Sequence, residues 1–129
     1  MSDRGGAAVL LVGVAGVVLL LAAVLGAVGV YLRVRVETVA AADAAALAAA
    51  PVTFLPFGAE GTPTDEAARF AAANGARLVS CVCPLDSSWE PRTVTVRVTK
   101  EARLWLLGSL TVTAVSRAEF LPALLLTGG

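Results

Sequence analysis

The sequence predicts a membrane-anchored α+β chain. It has a long N-terminal helix with a transmembrane half and a projecting half, a short second helix, and a small three-stranded antiparallel meander. Three observations carry that prediction. Residues 5–32 contain no charged side chain. Residues 33–50 follow with neither glycine nor proline and are rich in alanine, the best helix former. From Arg92 onward, valines alternate with threonine and arginine, the pattern of a strand with one buried face. The chain therefore divides into a leader-like segment (1–5), a transmembrane helix (6–32), its projecting continuation (33–50) and a small head (51–129).

Composition narrows the function before any motif is read. The chain has 129 residues, enough for one domain, and is 57% hydrophobic and 16% charged. Globular chains average about 45–50% and about 25%. Ten basic and ten acidic side chains cancel, which leaves no field to gather nucleic acid. Histidine is absent, which removes the usual general base near neutral pH and the commonest metal ligand. No paired carboxylates stand at a catalytic spacing, no glycine-rich phosphate loop follows a strand, and no base accompanies Cys81 or any serine. The expectation is a protein that is not an enzyme, with no cofactor, no metal, no nucleic acid and no small-molecule substrate. Lys100 is the only lysine and alanine makes up about a fifth of the chain, a bias that suits a GC-rich bacterial genome.

A membrane helix needs roughly 20 apolar residues at 1.5 Å each, and the run 5–32 exceeds that. A cleaved secretory signal has a shorter apolar core, about 7–15 residues, and a buried core helix would need far more protein to cover it. Tyr31 stands at one end of the run, where an amphipathic ring prefers the interface. Arg4 and the free amine lie on one side of the span. Arg33 and Arg35, partly offset by Glu37, lie on the other. Counting charges leans by one residue towards a cytoplasmic C-terminus.

The helix should continue to the breaker Pro51, followed by Pro56 and Gly58. On the projecting half, Val36, Val39, Ala40 and Leu47 form one stripe, with Asp43 inside it, and the head is expected to cover that stripe. Asp43 has two readings, a fixed polar contact with the head or a neighbouring subunit, and a solvated carboxylate. The head has fewer than 80 residues, so part of its core must be the long helix.

Thr62-Pro63-Thr64-Asp65-Glu66 reads as a helix start, with Thr62 as N-cap, Pro63 at the first helical position and Asp65 as capping-box partner. Asn74-Gly75 is its stop. Residues 78–83 alternate as a strand, 84–91 form a loop, and Val94, Val96 and Val98 mark the next strand. A third strand covers 110–116. Short connections imply antiparallel pairing. Trp105 is assigned to the core. Leu121 and Leu124 to Leu126 either complete that core or form an apolar patch.

Four passages give the chain its resemblance to a known family: DRGGAAVL (3–10), AADAAALAAA (41–50), AAANGARLVSC (71–81), and the pair VTVRV and LTVTAVSRAE near the C-terminus. In this order they resemble the TadE/TadG-like proteins of tight-adherence (Flp) pilus machinery, specifically a short TadE-like branch of high-GC Gram-positive bacteria. The resemblance implies a pilin-like fold and a minor pilin or pseudopilin of a type IV pilus or related secretion system. Its partners would be the membrane, other pilin or pseudopilin subunits, the inner-membrane pilus platform and a prepilin peptidase. It places the N-terminus in the cytoplasm and the head outside, against the charge count, possession of a single pass being common to both. It also implies cleavage between Gly5 and Gly6.

Counted from Gly6, the fifth mature position is Leu10, where pilin-like helices often carry a glutamate that pairs with a neighbour's amine. Leu10 avoids burying a carboxylate and gives up the docking charge, which suits a minor, tip or priming subunit. In the family the cysteine matching Cys81 looks paired with one near the preceding helix start, but here the second cysteine is Cys83. Two residues apart on a strand gives a Cα separation of about 6.6–6.8 Å, poor for a bridge. Free thiols are favoured over an intermolecular disulfide or a strained local one. The uncleaved alternative is a single-pass accessory or scaffold protein of a secretion apparatus.

Overall fold

The computed structural model describes residues 2–57 and 60–128. The first helix, α1, runs unbroken over Ser2–Val52, about 75 Å at 1.5 Å per residue. Met1, the first residue of the leader-like segment, lies outside the described residues, and the rest of that segment is continuous with α1. The helix passes Pro51 and stops one residue later than that breaker suggests. Proline needs no N–H partner, and Thr53 closes the end. Both its amide (3.2 Å) and its hydroxyl (2.6 Å) donate to the Ala50 carbonyl.

The second helix, α2 (Pro63–Ala73), forms where its capping signals place it. The Thr62 hydroxyl accepts from the Asp65 amide at 3.1 Å, and the Asp65 carboxylate accepts from the Thr62 amide at 3.4 Å. Asn74 ends the helix and Gly75 follows at φ +72°, a left-handed conformation that favours glycine. Ala67 and Ala71 are buried against α1 and the sheet.

Three strands follow, β1 (Arg77–Val82), β2 (Arg92–Leu104) and β3 (Gly108–Phe120), in the order β1-β2-β3 and antiparallel throughout. This is the expected meander, with two differences. Strands β2 and β3 are longer than their alternating cores, pairing without interruption from Arg92↔Phe120 to Leu104↔Gly108. Strand β1 carries a bulge between Leu78 and Ser80. The extra residue puts Leu78 opposite Val98 and Cys81 opposite Val96, so both turn to the core although they are three apart in sequence.

The sheet lies along the projecting half of α1. Val94, Val96 and Val98 are fully buried, and Ala102, Val112, Ala114 and Ala118 continue the same face. Against them α1 presents Ala41, Ala42, Ala45, Ala46, Ala49 and Ala50, with Thr38 at the near end. Part of the head's core is therefore the long helix, as its size demanded. The stripe is a different one, however. Val36 and Leu47 are each 68% exposed and Val39 is exposed too. Alanine takes the buried face because its short side chain lets the sheet and α2 approach the helix axis closely, whereas valine and leucine would hold them off.

Candidate functional site

The residues singled out in the sequence lie in three separate places. Gly5, Gly6 and Leu10 sit near the start of α1, where residues 3–22 are all exposed and nothing would meet a Cβ added at either glycine. Asp43 is some 50 Å further along the helix, by 1.5 Å per residue. It is exposed and lies beside the buried alanine face, and its Oδ1 accepts a hydrogen bond of 2.5 Å from the Ser116 hydroxyl on β3. Asp43 therefore touches the head through Ser116 while its carboxylate stays open to solvent.

Cys81 and Cys83 are joined to each other, against the preference for free thiols. The spacing argument fails because β1 ends at Val82. Cys83 leaves the strand ahead of Pro84, and the Cα separation closes to 5.5 Å, inside the disulfide range. Among the described residues no group of three His, Cys, Asp or Glu side chains comes together that could hold a metal ion.

Three ties between head and helix set how far the sheet reaches down α1. Arg92, at the start of β2, donates to the Thr53 carbonyl (3.2 Å). Ser116, opposite Val96, meets Asp43. Lys100 donates to Glu37 at 2.6 Å, and Glu37 also accepts from Arg33 at 2.9 Å. Strand residues advance about 3.3 Å and helix residues 1.5 Å, so each step along β2 passes roughly two residues of α1. From Arg92 to Lys100 the ties average that ratio. Extended to Leu104, it puts the end of the hairpin level with about residue 29, inside the uncharged run. The Lys100 ammonium, then the Arg33 guanidinium, hold the Glu37 carboxyl below its usual range.

The turn between β2 and β3 is Trp105-Leu106-Leu107. The Leu107 amide bonds the Leu104 carbonyl at 3.0 Å, and Gly108 has φ +83°. This is a three-residue hairpin turn closed by a left-handed glycine. Trp105 is 89% exposed, not in the core, because the hairpin overshoots the alanine face that could bury it. Across from it, Leu20, Val24, Ala27 and Tyr31 of α1 face Leu104 and Trp105 over an open apolar cleft of about 670 Å³.

The far end of the head is closed by Arg92, which sequence reasoning missed. Its Nη1 donates to the carbonyls of Thr53 and Asp86 (2.7 Å) and its Nη2 to those of Ser88 and Glu90. The guanidinium also lies 5.5 Å from the Phe54 ring centroid. One buried cation thereby gathers the end of α1 and the loop before β2. The only signal was its place before the alternating valines, where it reads as an ordinary strand-edge charge. Within that loop, hydrogen bonds from the Ser88 hydroxyl and amide hold Asp86 below the usual carboxylate range. Phe54 packs edge-on against Trp89 at 5.0 Å. Beyond β3 the tail turns through Pro122–Leu126, and Leu124 to Leu126 remain exposed, the patch reading and not the core one.

Comparison with protein-family models, with curated proteins and with solved structures gives no match in any of the three. The arrangement itself offers two apolar ends, one bare helix long and apolar enough to cross a membrane, and a polar middle.

Proposed function

We propose that this chain is a single-pass, membrane-anchored structural subunit, of minor pilin or pseudopilin type, in a tight-adherence (Flp) type IV pilus or a related secretion system. The observation that carries the reading is the division of α1. One uninterrupted helix has a bare apolar half suited to storage in a bilayer and an alanine-faced half that serves as the spine of a small head. The four sequence passages supply the family, the extracytoplasmic head and the Gly5–Gly6 processing site. Gly13, Gly16, Gly26 and Gly29 allow close approach of neighbouring helices, and the platform and fellow subunits would be the partners.

The second reading is an uncleaved accessory or scaffold protein of the same apparatus, for which the bare apolar half of α1 serves as a permanent anchor. The mature mass, taken from cells of the native host with and without the prepilin peptidase, separates the two. Peptidase-dependent loss of residues 1–5 is expected. An intact N-terminus in both strains would replace the pilin reading by the accessory one.

A further inference from the structure

The hairpin tip and the membrane half of α1 meet at a depth that can be bounded. A hydrocarbon core about 30 Å thick takes roughly 20 helical residues. Every such placement within the uncharged run 5–32 includes residues 13–24. Leu20, Ala23 and Val24 therefore lie in hydrocarbon wherever the bilayer settles, and they line one cleft with Leu104, Trp105 and Leu107. The register of β2 on α1 puts the end of the hairpin near residue 29, about 7–8 Å to the head side of Val24, where the cleft continues to Tyr31 and the head-side interface lies.

The other apolar patch cannot share this position. Phe120 pairs with Arg92, at the opposite end of a thirteen-residue strand from the tip, and the leucine tail follows it.

We propose that the β2–β3 hairpin is a second membrane anchor: its Trp105-Leu106-Leu107 turn enters the head-side leaflet beside α1, and lipid acyl chains fill the cleft between them. This rests on the membrane-spanning reading of α1. The backbone sets the depth. β1 pairs with β2 only from Thr95 to Thr99, so beyond Thr99 one edge of β2 is open, and β3 is an edge strand throughout. Open edges do not lie in hydrocarbon, because their amides and carbonyls would lose water without gaining partners. Only the turn goes in. The exposed Glu101 and Arg103 remain among the headgroups, and the Trp105 ring rests at the interface that indoles prefer. Anchored at two points, the head is held at a fixed height and rotation over the bilayer.

The full-length protein in phosphatidylcholine–phosphatidylglycerol vesicles tests this by tryptophan quenching, with lipids brominated near either the carbonyl or the methyl end of the chain. W89F leaves Trp105 as the reporter, W105F leaves Trp89 in the distal head, and W89F/W105F/L19W reports on the span itself. Trp105 emission should fall roughly two-fold or more with the shallow bromines and less with the deep ones, the pattern of an interfacial indole. It should do so equally at low protein density, while Trp89 is untouched. Unquenched Trp105 alongside a quenched L19W reporter overturns the anchor and leaves the span standing. Quenching that disappears at high protein density overturns it in favour of a second copy covering the tip. An unquenched L19W reporter overturns the span and the anchor with it.

Discussion

The two halves of α1 form one continuous helix but differ in make-up and meet opposite surroundings. Residues 5–32 are mostly valine, leucine and glycine without a charge, whereas half of residues 33–50 are alanine and four are charged. Up to Ala22 every described side chain is exposed, and the bulky ones, valine and leucine, are spread around the whole circumference. From Thr38 to Ala50 the bulky side chains are again exposed, but a full face of alanine is buried under the sheet and α2. Size as well as polarity separates the two environments. On the membrane-spanning reading proposed above, lipid adapts to any contour, so the half it surrounds can be bulky all round. A sheet cannot adapt, so the face it covers is made of the smallest side chain that still favours a helix. Valine and leucine left bare on the projecting half are then available to neighbours, as the proposed assembly would require.

Charge is the harshest way to break this comparison. Exchanging leucine for arginine at the centre of a span costs about 3–4 kcal/mol on insertion scales, while each apolar residue contributes only about 0.3–0.6. Leu19→Arg with Leu21→Arg should therefore cancel most of what holds the helix in the bilayer. The fraction of chain resisting alkaline extraction should drop from nearly all to a minority. Leu47→Arg, at a 68% exposed position on the projecting half, should change neither extraction nor head stability beyond about 0.5 kcal/mol. Equal losses from both would mean that the two halves share one environment.

Added volume sharpens it. Ala46→Leu forces a larger side chain under a fully buried contact and should destabilise the head by about 1–3 kcal/mol. For a head of this size that is a fall of roughly 5–15 °C in its melting temperature, read by circular dichroism in lipid nanodiscs. Ala22→Leu, at an exposed position in the membrane half, should leave melting unchanged. A matching fall there would show that the membrane half also packs against a rigid surface.

The same distinction explains what was legible in the sequence. Local chemistry was: the Thr62–Asp65 capping box, the Asn74-Gly75 stop, the alternation of Val94, Val96 and Val98, and the uncharged run each specify their own element. Features set by what packs on what were not. Hydrophobicity ranks Val36, Val39 and Leu47 above alanine, so the covered stripe was assigned to the wrong face. One bulge at Val79 shifts the inward residues of β1 in a way that alternation does not register. Trp105 reads as core because only the length of the hairpin against the helix shows that it overshoots. Arg92 looks like any strand-edge charge until the loop folds over it. Of the site residues, Asp43 became a tie within the chain through a partner 73 positions away in sequence. The cysteines paired because the strand stopped one residue short of Cys83.

The smallest effect is expected where the two halves join, at Glu37, which takes Lys100 from the head and Arg33 from its own helix. Its pKa is lowered in the folded protein, so folding favours the carboxylate. The sign follows: the contribution is fully present above the ordinary glutamate value of 4.5 and is lost as pH falls through the lower folded value. Because Glu37 is solvent-accessible, screening keeps that contribution small and salt-sensitive. Glu37→Gln should thus melt slightly below the wild type near neutral pH, and the gap should narrow as pH falls below 4.5 or on raising salt. Lys100→Met should remove most of the gap by itself, since Lys100 is the larger of the two influences and the one that crosses from head to helix. A gap that persists unchanged in acid would show that Glu37 acts through packing, and that the junction is held by the alanine face and the Ser116–Asp43 contact.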